Sequence, residues 1–559
     1  MSSTTTQEAF NLLDRGWIRC SMLNGEIKTL SLLEVFDQLD QVRRLAGDSP
    51  QQDYAVFRLL LAIFWRAQAT TDELRDSADD LMGWWADLYE GETAHLASPV
   101  ADYLESYRHR FNLFDDQVPF MQVADLATKK GEHSSIQRLI PEAELDYFTM
   151  RAGAGREAVT PAEAARWLVA IHAWDYSGIK PGALGDPRVK DGKGYPIGIG
   201  WTGWTGGVVI HGAHLGQTLM LNTPATTVLD NTLWDIDRPV WERKPDTSAP
   251  RSSEFPEGPC DVLTWQIRRV RLFREQDSVT GVLVTNGDRI EFRNQFADPM
   301  TGYRYSTAQS KKGNPVFFAK SHQEERTLWR GVEALLAGEQ LQDIPQGGES
   351  DKQPVTLKFL QDLQGSEVLE AEQEVQVELV GIIYGNNSAV IANSIHELIP
   401  FKLRTLIARD TLPQRTIVLA ARRAVQASVH LGQFVGFLAE AAGNNNEFGK
   451  EATHRQTARA TATGRVLNKL ENSYKAWLLT VTPEANADYL LNQWSDTVEE
   501  LIKKEAKVLA DGAGNKALIG RLDPKSEKPR LLSTSTALGR LEISLKKTLE
   551  RIPDVETQA

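Results

Sequence analysis

The side chains that could do chemistry in this chain are cations set among glycines. From Asp146 to Asn222 the backbone carries Gly178, Gly182, Gly185, Gly192, Gly194, Gly198, Gly200, Gly203, Gly206 and Gly207, with Lys180, Arg188, Lys190 and Lys193 between them. Glycine lets another molecule approach the backbone N–H groups closely, and neighbouring lysine or arginine adds positive charge. That combination suits contact with an anionic polymer. The competing reading is a surface loop with no ligand.

Other motifs carry less. Gly198-Ile199-Gly200-Trp201-Thr202-Gly203 spells G-x-G-x-x-G, but a dinucleotide site needs a strand before it and a helix opening from it. The continuation Gly206-Gly207-Val208-Val209-Ile210 reads as turn then strand. His211 and His214 are of metal-ligand type, yet no third ligand stands near them, so a packed or surface pair is the favoured reading. H-E-x-x-H, G-x-S-x-G and Walker A sequences are absent. A carboxylate pair could still assemble on folding without leaving a motif. Arg268, Arg269, Arg271 and Arg274 stand close together on and just past one predicted strand, Asp261–Phe273; a solvated face paired with acids is favoured over a phosphate-holding one. Residues 281–296 spell a hairpin around Asn286-Gly287, with Arg289 just beyond the turn.

The elements that must position these residues follow from periodicity. Thr160 caps a predicted helix over Pro161–Trp174, preceded by an aromatic, glycine-bearing loop at Tyr147–Gly155. Upstream, Gly25–Leu32 alternates as a strand, Ser31 opens a helix, and Val56, Leu59, Leu60, Ile63 and Phe64 mark a core-facing helix over Asp53–Gln68. Asp72–Leu88 continues helical. Downstream, Val375–Tyr384 reads as a buried strand running into Gly385-Asn386-Asn387-Ser388. From about residue 400 four amphipathic segments follow, roughly 413–442, 450–479, 487–509 and 531–552, which read as a four-helix bundle. The expected fold is α+β, with a large mixed domain over 1–399 and the bundle over 400–559.

Composition sets outer bounds. A chain of 559 residues exceeds one ordinary core, and 41% hydrophobic with 25% charged residues is typical of a folded soluble protein. A net charge of −13 argues against coating nucleic acid with the whole surface, though it leaves room for a local basic groove. Cys20 and Cys260 stand far apart, so neither a disulfide framework nor a thiolate zinc site is expected. No signal sequence or membrane span is legible, and a reducing cytoplasm is the expected location.

The order of FNLLDRGWI, LSLLEVF, RRLAGDSPQQDYAVFRLLLA, FNLFDDQVPFMQV, DYSGIKPG, GQTLMLN, PVWER, GPCDVLTWQIRRVRL and DPMTGYR resembles the CasA family, the large subunit of the type I-E Cascade complex of CRISPR immunity. The resemblance spans nearly the full length. It implies a non-catalytic subunit at one end of an RNA-guided complex, which recognises the protospacer-adjacent motif in double-stranded DNA. It also implies help in opening the duplex for the guide and a docking site for a helicase-nuclease, the protein reading a short duplex motif while base pairing reads the rest. Implied partners are target DNA, CRISPR RNA, the other Cascade subunits and that helicase-nuclease, with no membrane and no cofactor.

Site residues transfer on the same footing. Phe148-Thr149-Met150 resembles the loop that touches the RNA end and the motif region. Gly178, Ile179 and Lys180 resemble the glycine loop whose backbone lies in the minor groove, where a Cβ at Gly178 would meet the DNA. Arg289 resembles the basic finger, with Asp298-Pro299 as its anchor. Asn387 and Ser388 resemble the wedge that splits the first base pair, Ser388 standing where the family has glutamine, a longer side chain that intercalates more. The cysteine-rich zinc knuckle of some members has no counterpart, so no metal is expected. Two other classes stay open: a nuclease or hydrolase whose carboxylates meet only on folding, and a purely structural subunit.

Overall fold

The computed structural model describes residues 9–77, 80–141, 153–311, 313–320, 352–363, 368–369, 372–407, 412–443, 450–523 and 530–552. The chain forms two compact units, with Leu398 the last residue of the first and Ile399 opening the main stretch of the second. Both helices and short antiparallel sheets build the first unit. The second is mainly helical.

In the first unit the helix Pro50–Ala69 is buried on nearly every side, as its unbroken run of apolar residues from Leu59 to Trp65 requires. Ser49 caps it and Pro50 fills the first turn, where a missing N–H does no harm. Arg58 of this helix meets Asp298 at 2.7 Å with both side chains buried, and Trp201 Nε1 donates to the same carboxylate at 2.9 Å. The helix Pro161–Trp174 packs alongside: Trp174 Nε1 donates to Gln51 O at 2.7 Å, and Thr160 Oγ1 accepts from Glu163 N as its cap. Ser31 and Glu34 form a reciprocal capping box on the helix Leu32–Asp37. The expected run Asp72–Leu88 is two helices, Asp72–Asp76 and Leu81–Glu90, the second capped afresh by Asp80.

The predicted hairpin around Asn286-Gly287 does not form. Strand Arg268–Glu275 pairs with Ser278–Asn286, and the reversal lies at Gln276-Asp277, where Gln276 takes φ +54°. Asn286 ends the second strand, and Gly287 N and Asp288 N donate to Ile267 O and Gln266 O. Gly287 is glycine for closeness: a Cβ there would stand 2.3 Å from Gln266 O. A second sheet sets Glu374–Tyr384 between Ile391–Lys402 and Gly207–His211.

In the second unit the helix Leu412–Ala441 packs against Lys450–Leu478, Ala487–Asp511 and Thr534–Thr548. Trp494 Nε1 donates to Ala420 O at 2.9 Å, and Tyr474, Trp477 and Trp494 cluster around that contact. At Gly432 a Cβ would lie 2.5 Å from Thr463 Oγ1, so the glycine lets the first two helices close up. A short helix, Gly514–Ile519, and a strand pair, Arg521–Leu522 with Leu531–Leu532, precede the last helix. That helix therefore starts at Thr534, capped by Ser533, three residues later than the periodicity suggests. No helix among the described residues is long and apolar enough to cross a membrane.

Candidate nucleic-acid interface

The glycine loop begins where the helix Pro161–Trp174 stops. Asp175 turns the chain into extended backbone, and Tyr176, Ser177, Gly178 and Ile179 lead to a two-residue strand, Lys180–Pro181, paired with Lys193–Gly194. Gly178 takes φ +126°, a conformation that L side chains rarely adopt. Among the described residues a Cβ there would touch only the Tyr176 ring, at 3.8 Å, so backbone conformation already demands glycine. Ile179 is 58% exposed at the tip.

Lys180 is not presented to solvent. The chain turns its side chain inward, where it is 3% exposed and its Nζ lies 3.1 Å from Asp175 Oδ2 and 3.0 Å from Tyr176 O. Asp175 also accepts from Arg138 Nη2 at 2.7 Å and Arg268 Nε at 2.5 Å. The Tyr176 ring lies beneath both Lys180, at 4.0 Å, and Arg138, at 4.7 Å. Arg268 Nη2 adds bonds to Tyr176 O and Gly198 O. Burial alone would raise the Asp175 pKa, but Arg138, Arg268 and Lys180 hold it far below the usual carboxylate range. For Lys180, burial outweighs the pull of Asp175 and, with Arg268 and Arg138 repelling, brings the ammonium down to about 7.

The second candidate segment closes the strand Glu374–Tyr384. Asn386–Ser388 make one tight turn in which Asn387 takes φ +55° and Ser388 φ +52°. Asparagine tolerates this left-handed region and serine does so less readily. Asn387 is exposed, and Ser388 is half-buried. Ser388 O accepts from Ser177 N at 2.7 Å, so the turn sits directly on the root of the glycine loop. Tyr384 OH donates to Trp174 O at 2.7 Å and fastens the same two segments from below.

That contact explains the G-x-G-x-x-G spelling. A Cβ on Gly203 would meet Tyr384 Oη at 2.6 Å, one on Gly200 would meet His172 O at 3.1 Å, and Gly198 takes φ +96°. A five-residue helix, Trp201–Thr205, does open after Gly200, but it is mostly buried and no strand leads into it. The glycines serve packing.

Arg289 is exposed, with Glu254 Oε1 3.6 Å from its Nη1. Its neighbour Asp288 is buried and holds Arg269 at 2.8 and 3.1 Å, which stiffens the base from which Arg289 projects. Arg188 Nη1 donates to Gly287 O, and Asn286 Nδ2 donates to Tyr195 O, joining this segment to the glycine-rich stretch. Phe148, Thr149 and Met150 lie outside the described residues. The arginine strand is not a solvated face: Arg268 and Arg269 are buried in ion pairs, while Arg271 and Arg274 stack over Phe273 and Phe114.

His211 and His214 part company. His214 Nδ1 caps the helix Leu215–Leu221, whereas His211 Nε2 lies 2.6 Å from Glu378 Oε2, and His396 Nε2 lies 2.8 Å from the other oxygen. No group of three or more His, Cys, Asp or Glu among the described residues is arranged to hold a metal ion. Motif reading alone missed Arg138, Asp175, Tyr176 and Tyr384; the only signal for any of them is the run Asp175-Tyr176-Ser177-Gly178.

Known proteins share this chain's sequence pattern and fold. The profile of the family described as CRISPR-associated protein Cse1 matches residues 11–504. A curated relative, CRISPR-associated protein CasA/Cse1 of Thermus thermophilus, is 29% identical over 367 residues, and the match spans 64% of each chain. The crystal structure of Thermobifida fusca Cse1 is 36% identical and superposes with a TM-score of 0.83, covering 98% of this chain and 99% of that one. A chain of a structure titled CRISPR RNA-guided surveillance complex shares the fold at 16% identity, with a TM-score of 0.62 over 90% of this chain and 99% of that one. With the profile matching most of its length, this chain belongs to the CRISPR-associated protein Cse1 family.

Proposed function

We propose that this chain is the large subunit of a cytoplasmic type I-E surveillance complex, Cascade, and that it reads the protospacer-adjacent motif in double-stranded DNA without catalysis of its own. The observation that carries the reading is the bond from Ser177 N to Ser388 O. It joins the loop that resembles a minor-groove reader to the turn that resembles a strand-splitting wedge, two segments more than two hundred positions apart in the chain. Gly178 and Ile179 present backbone and a small apolar tip to the groove, and Lys180 anchors the loop from inside while contributing field. Arg289 supplies a phosphate contact from a rigid base.

Minor-groove readout is degenerate, so several related motifs are accepted. Unstacking the first base step costs on the order of a few kcal/mol, offset by phosphate contacts and by the guide–target pairing that follows. The opened complex then recruits the helicase-nuclease. The test is DNA binding by the complex reconstituted with and without this chain, on duplexes differing only in the base pairs beside the target. Discrimination conferred by the chain supports the reading; unchanged discrimination without it removes motif recognition from this subunit. The inward turn of Lys180 favours a second reading, in which the loop only packs against a neighbouring subunit. Binding indifferent to Gly178 and Arg289 substitutions would select it.

A further inference from the structure

Loop and turn share one foundation. Asp175 gathers Arg138 from the short helical turn Ile136–Leu139, Arg268 from the strand Arg268–Glu275, and Lys180 from the far side of the loop. Arg268 and Lys180 both return to Tyr176 O, so the carbonyl of the Tyr176–Ser177 peptide is held from two directions. The N–H of that same peptide, on Ser177, donates to Ser388 O and so carries the turn, and Ser177 itself is buried. Only Gly178 and Ile179 lie between these fixed points and the Lys180 anchor. The turn, with two successive residues in left-handed conformation, keeps an unfavourable backbone only where its surroundings impose it.

We propose that Asp175 is a positioning residue that couples duplex reading to strand opening: it fixes the Tyr176-Ser177 backbone and so sets where the Asn386–Ser388 turn stands relative to the groove-facing tip. This rests on the function proposed above and adds to it that reader and wedge act as one unit. Asp175 touches no DNA. Its removal leaves three cations facing one another without their carboxylate, and the loop root and the turn lose their common register.

The test uses the full guide-loaded complex carrying Asp175→Asn or, as a milder change, Tyr384→Phe, which deletes only the hydroxyl that donates to Trp174 O. Each is assayed on a fully paired motif-bearing duplex and on the same duplex with the first target pairs mismatched open. Opening is read by 2-aminopurine fluorescence at the first pair and affinity by titration. The expected result is opening slowed about tenfold or more on the paired duplex, with affinity for the pre-opened duplex within about twofold of wild type. A merely structural role would lower both together, and that result overturns the inference, as does wild-type opening by both variants. If Asp175→Asn fails to assemble, Tyr384→Phe decides alone: slowed opening with pre-opened binding retained supports the coupling, and unchanged opening overturns it. A wild-type complex indifferent to the motif overturns the proposed function and the coupling with it, whereas a motif-dependent wild type with unaffected variants overturns the coupling alone.

Discussion

At Gly178 the demand for glycine comes first from the chain and only then from any ligand. Its φ of +126° excludes a branched side chain whatever lies outside, while among the described residues the space around a Cβ is open apart from the Tyr176 ring. Gly178→Val is expected to strain the loop by about 1–3 kcal/mol. The complex should assemble and lose motif-dependent duplex binding, which a binding titration beside a gel-filtration profile will check. Lys180 leads to a pH prediction. Burial, partly countered by Asp175 and reinforced by Arg268 and Arg138, sets its ammonium at about 7. A phosphate brought to the loop raises that value, so the DNA-bound state holds more protons than the free state near neutrality. Affinity for motif-bearing duplex should therefore fall as pH rises through about 7, by up to about tenfold per pH unit for one linked proton. Titrations across that range should show the slope, and Lys180→Met should flatten it. The lysine was legible as a cation near a glycine loop, but its direction was not, because nothing in the local sequence reveals that Asp175 and Tyr176 turn back beneath it.

Among the elements, the helices declared themselves where local chemistry decides them. Thr160 and Pro161 mark one start, Ser31 another, and the long C-terminal helices begin and end within a few residues of their periodic runs, apart from the delayed last start. The Asn286-Gly287 pair misled because the same dipeptide satisfies a different need. Its glycine continues alongside Gln266 and Arg268, and close backbone approach won over turn propensity. Gly287→Ala places its methyl against backbone that cannot swing aside, and a loss of about 1–3 kcal/mol is expected. Urea denaturation will measure it; an unchanged midpoint would mean that the strand pair can shift. The candidate site was legible as two separate loops. Their union through Ser177 and Ser388 was not, since a hydrogen bond between main-chain atoms leaves no mark on residue type.

For the molecule as a whole, the first unit keeps an ion pair in its interior. Arg58 and Asp298 pair in the core at 2.7 Å, with Trp201 Nε1 and Met300 N completing the carboxylate's partners. Such a pair adds little net stability against an apolar replacement of both partners, yet breaking one side strands the other. Arg58→Met is expected to cost about 3–5 kcal/mol and to lower the thermal midpoint of the chain clearly. The motif DPMTGYR, noticed as a family signature, thus earns its aspartate in the interior. The division between the two units has a further consequence, because it falls inside the strand Ile391–Lys402. A fragment ended at Leu398 cuts that strand short of Ile399 and Phe401, both fully buried. Incomplete strands recruit other chains, so such a fragment is expected to aggregate more readily than one ended past Lys402.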